Sequence, residues 1–406
     1  MIWNLKIILY RIRHYIFKIA IKCLKFPVPE LVIGAGCMID LASKVKQKRL
    51  SNVLIVTDKV LMDLGLLDRL FLSLDEYEIK YTVYDRVQPN PTIYNIEEAR
   101  QVYIDNQCEA MIAFGGGSPM DCAKVAAARV TNNKSIRDMK GLFKVRKTLP
   151  PLFAVPTTAG SGSETTVAAV VSDPNTHEKY AISDTKLVPK IAVLDPELTI
   201  GLPPHITSTT GMDALTHAVE AYIGLHGTKF TNKKAEKAVE IIFNKLEDVY
   251  NNGSDVNLRQ DMALASYYAG SAFTRTSVGY VHAIAHNLGG LYGVPHGLAN
   301  AVILPYILEY FGKYAENKLA KLAIIGGIGK KEEGEKVLAS KFIEQIKNMN
   351  RNMNIPSVIK ELKEEDIPLI AKRAIKEANP DYPVPKIMTE EECREVVSKL
   401  LVGSNN

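Results

Sequence analysis

The sequence of 406 residues is poor in tryptophan, with one, and contains no long uninterrupted apolar run. No stretch approaches the ~20 apolar residues that a membrane-spanning helix needs. No internal repeat or low-complexity tract is present, which excludes solenoid and fibrous classes. With 47% hydrophobic and 23% charged residues, the composition is typical of a soluble globular protein, and the length predicts two domains.

Cysteine is scarce and scattered. The five cysteines are an odd number and form no C-x-x-C pair; they are Cys23, Cys37, Cys108, Cys122 and Cys393. This spacing argues against a disulfide framework or a thiolate zinc site and favours a cytoplasmic protein. Cys122, beside a glycine-rich turn, is interpreted as a small buried side chain.

The net charge of +5 is unevenly distributed. Residues 1–26 contain six basic residues and no acidic one, so the rest of the chain is close to neutral. The rest therefore has no electrostatic signature of nucleic-acid binding, and no nucleic-acid partner is expected.

Residues 1–26 predict a basic amphipathic helix, which Pro27 and Pro29 end. Three interpretations remain open. The helix packs on the body of the protein or on a partner subunit, lies on an anionic membrane surface, or acts as a targeting or docking peptide. A cleaved signal peptide is not expected, because no small-residue cleavage site follows.

Residues 27–203 alternate short β-branched runs with helical patterns. The strand-like runs are 52–58, 80–85, 110–118, 152–158 and 190–196. Such alternation predicts an α/β domain with a mostly parallel sheet, which binds ligands at the carboxyl ends of its strands.

Two glycine-rich turns are candidates for a dinucleotide phosphate. The first has Gly34 and Gly36 at roughly fingerprint spacing from Asp58, but Ile39 occupies the third glycine position. The second, residues 115–118 (GGGS), leaves an apolar strand and opens a helix. A tight structural turn is the alternative for each.

The loop PTTAGSGSETT, residues 156–166, follows the next strand and supplies hydroxyl groups and glycines. Two such loops after successive strands favour nucleotide binding. Asp58 ends a strand as well, and its carboxylate either accepts from a ribose 2′-hydroxyl, favouring NAD over NADP, or caps the following helix.

Residues 204–406 predict an all-helical domain. The helical patterns cover 211–224, 233–250, 258–275, 279–291, 297–311, 335–350, 366–378 and 389–401. The helix that carries His282 and His286 is expected to end at Gly289-Gly290.

Two of these helical segments carry possible metal ligands one turn apart. Asp213 and His217 lie four residues apart, as do His282 and His286, and His296 follows at a turn. A pair of this kind either shares a metal, forms a buried hydrogen bond or lies on a wet surface. A carboxylate with up to three imidazoles suits Fe(II), Zn, Co or Ni.

The motifs together resemble those of the iron-containing (group III) alcohol dehydrogenase family. GGGSPMDCAK, PTTAGSGSETT, DPELTIGLPP, GMDALTHAVEAY and the histidine segment occur in the family's order, over residues 28–400. The resemblance implies an α/β dinucleotide-binding domain and an all-α domain, the dehydroquinate synthase-like fold, with metal and nicotinamide in the cleft between them.

The resemblance also assigns residues to roles. It implies metal ligation by Asp213, His217, His282 and His296, with His286 beside substrate and cofactor. It favours the second glycine turn for the pyrophosphate. The implied cofactor contacts are Asn90, Gly116, Gly117, Ser118, Thr157, Thr158, Ser161 and Lys179.

The implied reaction interconverts primary alcohols and aldehydes by hydride transfer with NAD, with Fe(II) favoured over Zn(II). A homodimer or higher homo-oligomer is expected. Ala168 stands where many relatives carry Asn, which predicts a more apolar pocket for simple alcohols. The alternatives are a polyol dehydrogenase, a dehydroquinate synthase-type lyase and a non-catalytic binding module.

Overall fold

The computed structural model describes residues 2–176 and 178–403, without the side chains of residues 2, 22 and 23. The chain forms two compact units. One comprises Phe26–Leu202 and Ser254–Tyr267, and the other comprises Met1–Lys25, Pro203–Gly253 and Tyr268–Asn406. The predicted N-terminal helix, α1 (Ile2–Cys23), belongs to the second unit.

The first unit, the α/β unit, alternates strands and helices as the sequence predicts. Its elements in chain order are β1 (Glu30–Ile33), α2 (Asp40–Gln47), β2 (Asn52–Val56), α3 (Lys59–Asp63), α4 (Asp68–Glu76), β3 (Lys80–Tyr84), α5 (Ile93–Asp105), β4 (Ala110–Gly115), α6 (Gly117–Thr131), β5 (Gly141–Leu142), β6 (Leu152–Pro156), β7 (Ala168–Asp173), β8 (Glu178–Ser183) and β9 (Ile191–Leu194).

Six strands form one parallel sheet in the order β1-β9-β6-β4-β2-β3. Successive residues of β2 and β4 point to opposite faces and are buried on both, because helices cover each face. Leu54 and Met111 belong to one apolar core, and Val53 and Ile112 belong to the other. In this unit, polar side chains that bind a ligand must therefore come from the loops at the strand ends.

A second sheet, in the order β5-β8-β7, was not predicted from the sequence. Its strand β7 alternates half-buried and buried residues and pairs antiparallel with β8. This short sheet extends the loop that follows β6, so the loop's far end is held by strand pairing.

In the second unit, the helical unit, the described residues form nine further helices or parts of them. They are α7 (Pro204–Ile223), α8 (Lys229–Asn251), α9 (Val256–Thr276), α10 (Tyr280–Tyr292), α11 (His296–Phe311), α12 (Glu316–Ile325), α13 (Glu335–Asn352), α14 (Ile367–Ala378) and α15 (Glu390–Ser398). Helix α9 begins in the α/β unit and ends in the helical unit. An α/β unit followed by an all-α unit is the fold class that the sequence predicts.

Two helix predictions need correction. Helix α10 does not end at Gly289-Gly290 but continues to Tyr292 and ends at Gly293, whose φ of 70° is left-handed. A glycine inside a helix costs only ~1 kcal/mol, which tertiary packing overrides, whereas a left-handed residue ends the helix. Helix α12 was not predicted at all. None of the helices among the described residues is long and apolar enough to cross a membrane.

Candidate metal centre and nucleotide loops

Helix α7 carries the first two candidate metal ligands. Asp213 and His217 lie one turn apart on it, and each is only 4% exposed. Phe273 stacks on the His217 ring, with the ring centroids 4.1 Å apart, which fixes the plane of the imidazole. The wet-surface interpretation of this pair is therefore excluded.

Helix α10 presents the third candidate, His282, which is 2% exposed. Its Nδ1 lies 2.7 Å from Oε2 of Glu220, a residue of α7. The two carboxylate oxygens of Glu220 also accept from the N–H groups of Gly279 and Val281, at 2.8 and 2.9 Å. Since Nδ1 donates to the carboxylate, Nε2 carries the lone pair and points towards the other candidate ligands.

Burial sets the protonation of this pair. It holds the pKa of His282 well below the usual value, and the neighbouring His217 and His296 add to the effect. Burial raises the pKa of Glu220 to about 8, against the two backbone N–H donors. A nearby cation favours the neutral imidazole and the ionised carboxylate alike.

Helix α11 begins with the fourth candidate, His296, whose side chain is 34% exposed. The next residue, Gly297, lies directly against the backbone of α7: a Cβ there would be 2.4 Å from the carbonyl oxygen of Thr209. Only glycine allows this approach, and it brings the first turn of α11 beside Asp213.

The four candidate ligands converge. One ligand atom of each lies within 4.8 Å of the others. Oδ1 of Asp213 is 3.9 Å from His282 Nε2 and 3.7 Å from His296 Nε2. Ligands of a tetrahedral site with bonds of about 2.1 Å lie about 3.4 Å apart, so modest closure would give bonding distances.

Asn300, one turn after His296, provides a test of whether this arrangement fits a cation. Its Nδ2 lies 2.6 Å from Asp213 Oδ1, 3.2 Å from His282 Nε2 and 3.1 Å from His296 Nε2. An amide has two N–H groups, fewer than the three acceptors that surround it. The acceptors therefore converge on a point that favours positive charge, and the donor set of one oxygen and three nitrogens fits a divalent transition metal.

His286, one turn beyond His282, belongs to a separate chain of hydrogen bonds. Its Nδ1 lies 2.7 Å from Oε1 of Glu377, which also accepts from the hydroxyl of Tyr382 at 2.8 Å. The His286 ring stacks beside that of His296, with centroids 5.4 Å apart. Burial raises the pKa of Tyr382 well above its usual value, so the phenol remains a donor.

In the α/β unit, the two polar loops follow adjacent strands. Residues 115–118 follow β4 and residues 157–163 follow β6, which pairs with it. A Cβ at Gly116 would be 3.2 Å from Thr158 Oγ1, and one at Gly117 would be 3.3 Å from Ser161 Cβ. The two loops therefore pack directly on each other.

The first turn of α6 leaves N–H groups available beside these hydroxyls. Gly116 is the N-cap of α6, and Gly117 and Ser118 are its first residues. The first N–H groups of an α-helix have no intrahelical acceptor, so they favour an anion. Thr157 is buried, and its N–H donates to the carbonyl of Gly115 at 3.1 Å, which joins the loops at their base.

The glycine turn after β1 has a different role. The N–H groups of Gly36 and Met38 each donate to the carboxylate of Asp195, at 3.0 Å. Since Asp195 already accepts from these donors, they are not available to a phosphate. The strand β1 also lies at the edge of the sheet, three places from β4.

The remaining predicted cofactor residues lie in different surroundings. Asp58 caps α3, with Oδ1 accepting from Leu61 N at 3.1 Å, so the helix-cap interpretation holds. Asn90 donates its N–H to Ser118 Oγ at 3.1 Å, in a backbone conformation with φ of 58°. Lys179 is half-buried on β8, opposite Ser172 of β7.

A buried charged network holds the second loop, and the sequence reasoning missed it. Nζ of Lys124 donates to Ser163 Oγ at 2.9 Å, to Thr166 Oγ1 at 2.9 Å and to the Ala168 carbonyl at 2.9 Å. Asp121, on the same helix, accepts from Ser163 Oγ and from Val170 N. Burial lowers the pKa of Lys124 to about 8 and raises that of Glu164 to about 7.

Glu220, Asn300 and Glu377 were also missed. Each lies on a helix, Glu220 and Asn300 among apolar neighbours and Glu377 next to Lys376. No spacing rule links Glu220 with His282 or Glu377 with His286 across 62 and 91 residues. The only sequence signal is a polar residue on an otherwise apolar helix face, as at Asn300 in HGLANAVIL.

Comparison with protein families gives two matches. The model for iron-containing alcohol dehydrogenase matches residues 28–196, and that for the C-terminal part of the Fe-containing alcohol dehydrogenase family matches residues 207–401. Together they cover most of both units, including the two glycine-rich turns, the loop 156–166 and the four candidate metal ligands.

Individual proteins agree with these matches. The chain is 38% identical to alcohol dehydrogenase 4 of Schizosaccharomyces pombe over 358 residues, 87% of this chain and 83% of that protein. It is 34% identical to the NAD-dependent methanol dehydrogenase of Bacillus methanolicus, over 93% of this chain and 99% of the other. A crystal structure of 1,3-propanediol oxidoreductase superposes with a TM-score of 0.90 at 34% identity, covering 93% and 99% of the two chains.

Proposed function

Since this chain belongs to the iron-containing alcohol dehydrogenase family, and is thus an oxidoreductase, we propose that it interconverts primary alcohols and aldehydes with NAD and a divalent metal. One observation carries this proposal: four candidate ligand atoms, all from residues in the family's motifs, lie within 4.8 Å of one another.

The proposed metal ligands are Asp213, His217, His282 and His296. Fe(II) is the favoured ion because the family is iron-containing, and Zn(II) is the alternative. Both ions accept a carboxylate and imidazoles as ligands. A metal held there would supply Lewis-acid polarisation of the alcohol or carbonyl oxygen. The chain itself buries Asp213, His217 and His282, and the contact with Glu220 orients the ring of His282.

His286 is proposed to take up the alcohol proton during oxidation and to return it during reduction. Its Nδ1 donates to Glu377, so Nε2 is the acceptor, and the carboxylate favours the imidazolium that would form. Tyr382 supports Glu377 through its own hydrogen bond. Glu377 is therefore a positioning residue for His286.

The cofactor is proposed to bind the α/β unit at the paired loops. Gly116, Gly117 and Ser118 would bind the pyrophosphate, and Thr157, Thr158 and Ser161 the nicotinamide side, while Asn90 and Lys179 add further contacts. The close packing of the two loops supports this assignment. Although Oδ1 of Asp58 caps α3, its carboxylate is also proposed to favour NAD over NADP, because a carboxylate repels a 2′-phosphate.

The proposed substrates are simple primary alcohols. Ala168 offers no polar atom beyond its backbone, which favours an apolar chain over a second hydroxyl. The relatives include both an NAD-dependent methanol dehydrogenase and a 1,3-propanediol oxidoreductase, so a polyol dehydrogenase is the second candidate.

The arrangement of the whole chain is proposed to follow the same plan, with a nucleotide-binding domain at residues 27–203 and a metal-binding domain at residues 204–406. A homodimer or higher homo-oligomer in the cytoplasm is proposed as its setting. The buried, unpaired thiols of Cys37, Cys108, Cys122 and Cys393 are in keeping with a reducing compartment.

The test is NADH formation by protein purified without oxygen and loaded in parallel with Fe(II) or Zn(II). We expect metal-dependent oxidation of a series of primary alcohols. His282→Ala should lose both bound metal, measured by elemental analysis, and turnover. His205→Ala is the matched control, because His205 is an exposed histidine on α7 outside the candidate ligands.

His286→Ala should lower kcat by roughly 10²–10⁴-fold with metal content unchanged. Added imidazole should restore part of the rate, which a purely structural role would not allow. Metal-independent turnover in His282→Ala would contradict the metal proposal. Metal and cofactor bound, but no turnover of alcohols or of aldehydes with NADH or NADPH, would contradict the reaction.

The pair 1-propanol and 1,3-propanediol tests the substrate proposal. We expect preference for 1-propanol, and Ala168→Asn should shift that preference towards the diol. Equal turnover of the two by the unaltered protein would contradict the role of Ala168.

A further inference from the structure

Helix α1 is attached to the helical unit through one side only. The guanidinium of Arg11 donates to the carbonyls of Val384 and Pro385, both at 2.7 Å. His14 is buried, with Nε2 2.7 Å from the carbonyl of Pro380, and Arg13 pairs with Asp381. These contacts hold the helix in one orientation.

The same side carries half-buried aromatic residues. Trp3, Tyr10 and Phe17 lie on it, and Phe17 contacts the ring of His226, with centroids 5.8 Å apart. The Nε2 of His226 lies 3.0 Å from the carbonyl of His14. The attachment therefore combines apolar packing with hydrogen bonds to the segment 380–385 and to the side chain of His226.

The opposite side of α1 is apolar and exposed. Seven large side chains lie there at intervals of three or four residues or their sums, between 48% and 68% exposed; they are Leu5, Ile8, Leu9, Ile12, Tyr15, Ile16 and Ile19. They form a continuous stripe about 21 Å long, since a helix rises 1.5 Å per residue. A contiguous exposed apolar surface of this kind marks an interaction site.

Basic residues border the exposed stripe on both edges. Lys6 and Arg13 lie one heptad apart along one edge, where Arg13 pairs with Asp381. Lys18 lies along the other edge with Arg11, whose guanidinium donates to Val384 and Pro385, so Lys6 and Lys18 are the edge cations outside the attachment contacts. Residues 1–29 contain no acidic residue. The surface is therefore an apolar centre between two cationic edges.

The charges distinguish between two occupants. A second copy of α1 packed on the stripe would bring cationic edges together, and neither helix has an acid to compensate. An anionic bilayer surface complements both parts of the surface, because the apolar centre enters the boundary of the acyl chains and the cationic edges meet phosphates.

We propose that α1 binds the protein to an anionic lipid surface through the stripe Leu5–Ile19 while its other side stays attached to residues 380–385. The helix is already folded and held in place, so binding does not require it to order first. The protein is then held on the membrane in a single orientation.

The test is flotation of the full-length metal-loaded protein with vesicles of phosphatidylcholine alone or mixed with phosphatidylglycerol. We expect binding to the mixed vesicles only, weakened by salt. The double variant I12E/I16E should lose at least tenfold in partitioning, and Lys6→Gln about fivefold, from roughly 1 kcal/mol per basic residue. Leu72→Glu is the matched control, since Leu72 is an exposed leucine on α4.

Trp3 reports whether the attachment survives. As the only tryptophan, on the half-buried side of α1, it should keep its emission when vesicles are added. Unfolding temperature and turnover of I12E/I16E should match those of the unaltered protein. A change in Trp3 emission on binding would overturn the attached orientation.

Two results would overturn the lipid proposal itself. One is equal partitioning of I12E/I16E and the unaltered protein. The other is absence of vesicle binding together with a dimer that I12E/I16E dissociates, which would identify the stripe as a contact between two copies.

Discussion

Glu220 illustrates how a single side chain can organise a site without being a ligand. Its carboxylate fixes the ring of His282 and also accepts from the N–H groups of Gly279 and Val281 at the start of α10. A carboxylate behind a ligating histidine sets its tautomer and raises its basicity. Asn300 has a comparable position at the other side of the cluster, where its amide contacts three of the four candidate ligands.

At this scale we expect Glu220→Ala to weaken metal binding by about 10- to 100-fold. Glu220→Gln should lose less, because its amide oxygen still accepts one hydrogen bond. Calorimetric titration of the metal-free protein with Zn(II) measures both variants. Glu240→Gln, an exposed position on α8, is the control, and unchanged affinity in Glu220→Ala would contradict the role.

At the scale of elements, α6 and the loop after β6 are joined by Lys124. This lysine is 0% exposed and donates to a serine, a threonine and a carbonyl of the loop and of β7. Asp121 beside it is half-buried, and desolvation raises its pKa. Ser163 accepts from Lys124 and donates to Asp121, so the loop after β6 is held by a charged hydrogen-bond network as well as by apolar packing.

We expect Lys124→Met to lower the free energy of unfolding by about 3–5 kcal/mol, because it leaves buried acceptors without a donor and removes the cation beside Asp121 and Glu164. The double variant D121N/K124M should recover part of this loss. Urea unfolding measures the stability, and NADH fluorescence measures cofactor affinity. Lys144→Met is the control, because Lys144 is exposed and its loss should leave the free energy of unfolding unchanged. An unchanged free energy of unfolding in Lys124→Met would contradict the network.

The attachment of α1 should depend on pH. Burial, together with the charges of His14 and Lys18, lowers the pKa of His226 to about 4, against the hydrogen bond to the carbonyl of His14. Burial also lowers the pKa of His14. The charges of Arg11 and Arg13 oppose protonation of this histidine, and that of Asp381 favours it. An unfolded histidine titrates near pH 6.5, so the detached state binds more protons and the attachment weakens as pH falls from about 6.5 to about 4.

Trp3 emission should therefore shift to the red over this interval. Circular dichroism of the same samples identifies any general unfolding. His226→Gln, which cannot titrate, should reduce the shift. Constant emission down to about pH 4, with the helical signal intact, would contradict this assignment.

The elements of the fold differ in how well the sequence predicted them. Continuous apolar runs such as 52–56 and 110–115 were recognised, because a short run without polar residues is typical of a strand buried on both faces. The short strand β1 was missed because it has only four residues, none of them buried. The second sheet was missed because its strand β7 alternates buried and only half-buried residues, which is a weak hydrophobic pattern. The end of α10 was misplaced, because packing overrides the cost of an interior glycine.

In the candidate site, the motifs pointed to the ligands, whereas their supporting residues emerged only from the fold. His282 and Asp213 stand in recognisable i, i+4 patterns, but Glu220 acts on His282 from another helix. The family resemblance favoured the second glycine turn, but the reason that the first is unsuited to a phosphate emerged only from the fold. Asp195, 159 residues from Gly36, occupies the N–H donors of the first turn. Contacts over such separations have no local pattern.

For the molecule as a whole, all four candidate metal ligands belong to the helical unit. We expect Zn(II) at a hundred times its dissociation constant to stabilise that unit by about 2.7 kcal/mol. Differential scanning calorimetry with and without metal measures the effect. Asp213→Asn should abolish the shift, and an equal shift in that variant would place the stabilising ion elsewhere.

The attachment of α1 also imposes an order on synthesis. Arg11 and its acceptor Val384 are 373 residues apart, which at about 5–20 residues per second corresponds to roughly 20–75 s of translation. During that time both sides of the nascent helix lack the protein surface that later covers one of them. A ribosome working near a membrane would thus offer α1 a lipid surface before its own protein is complete.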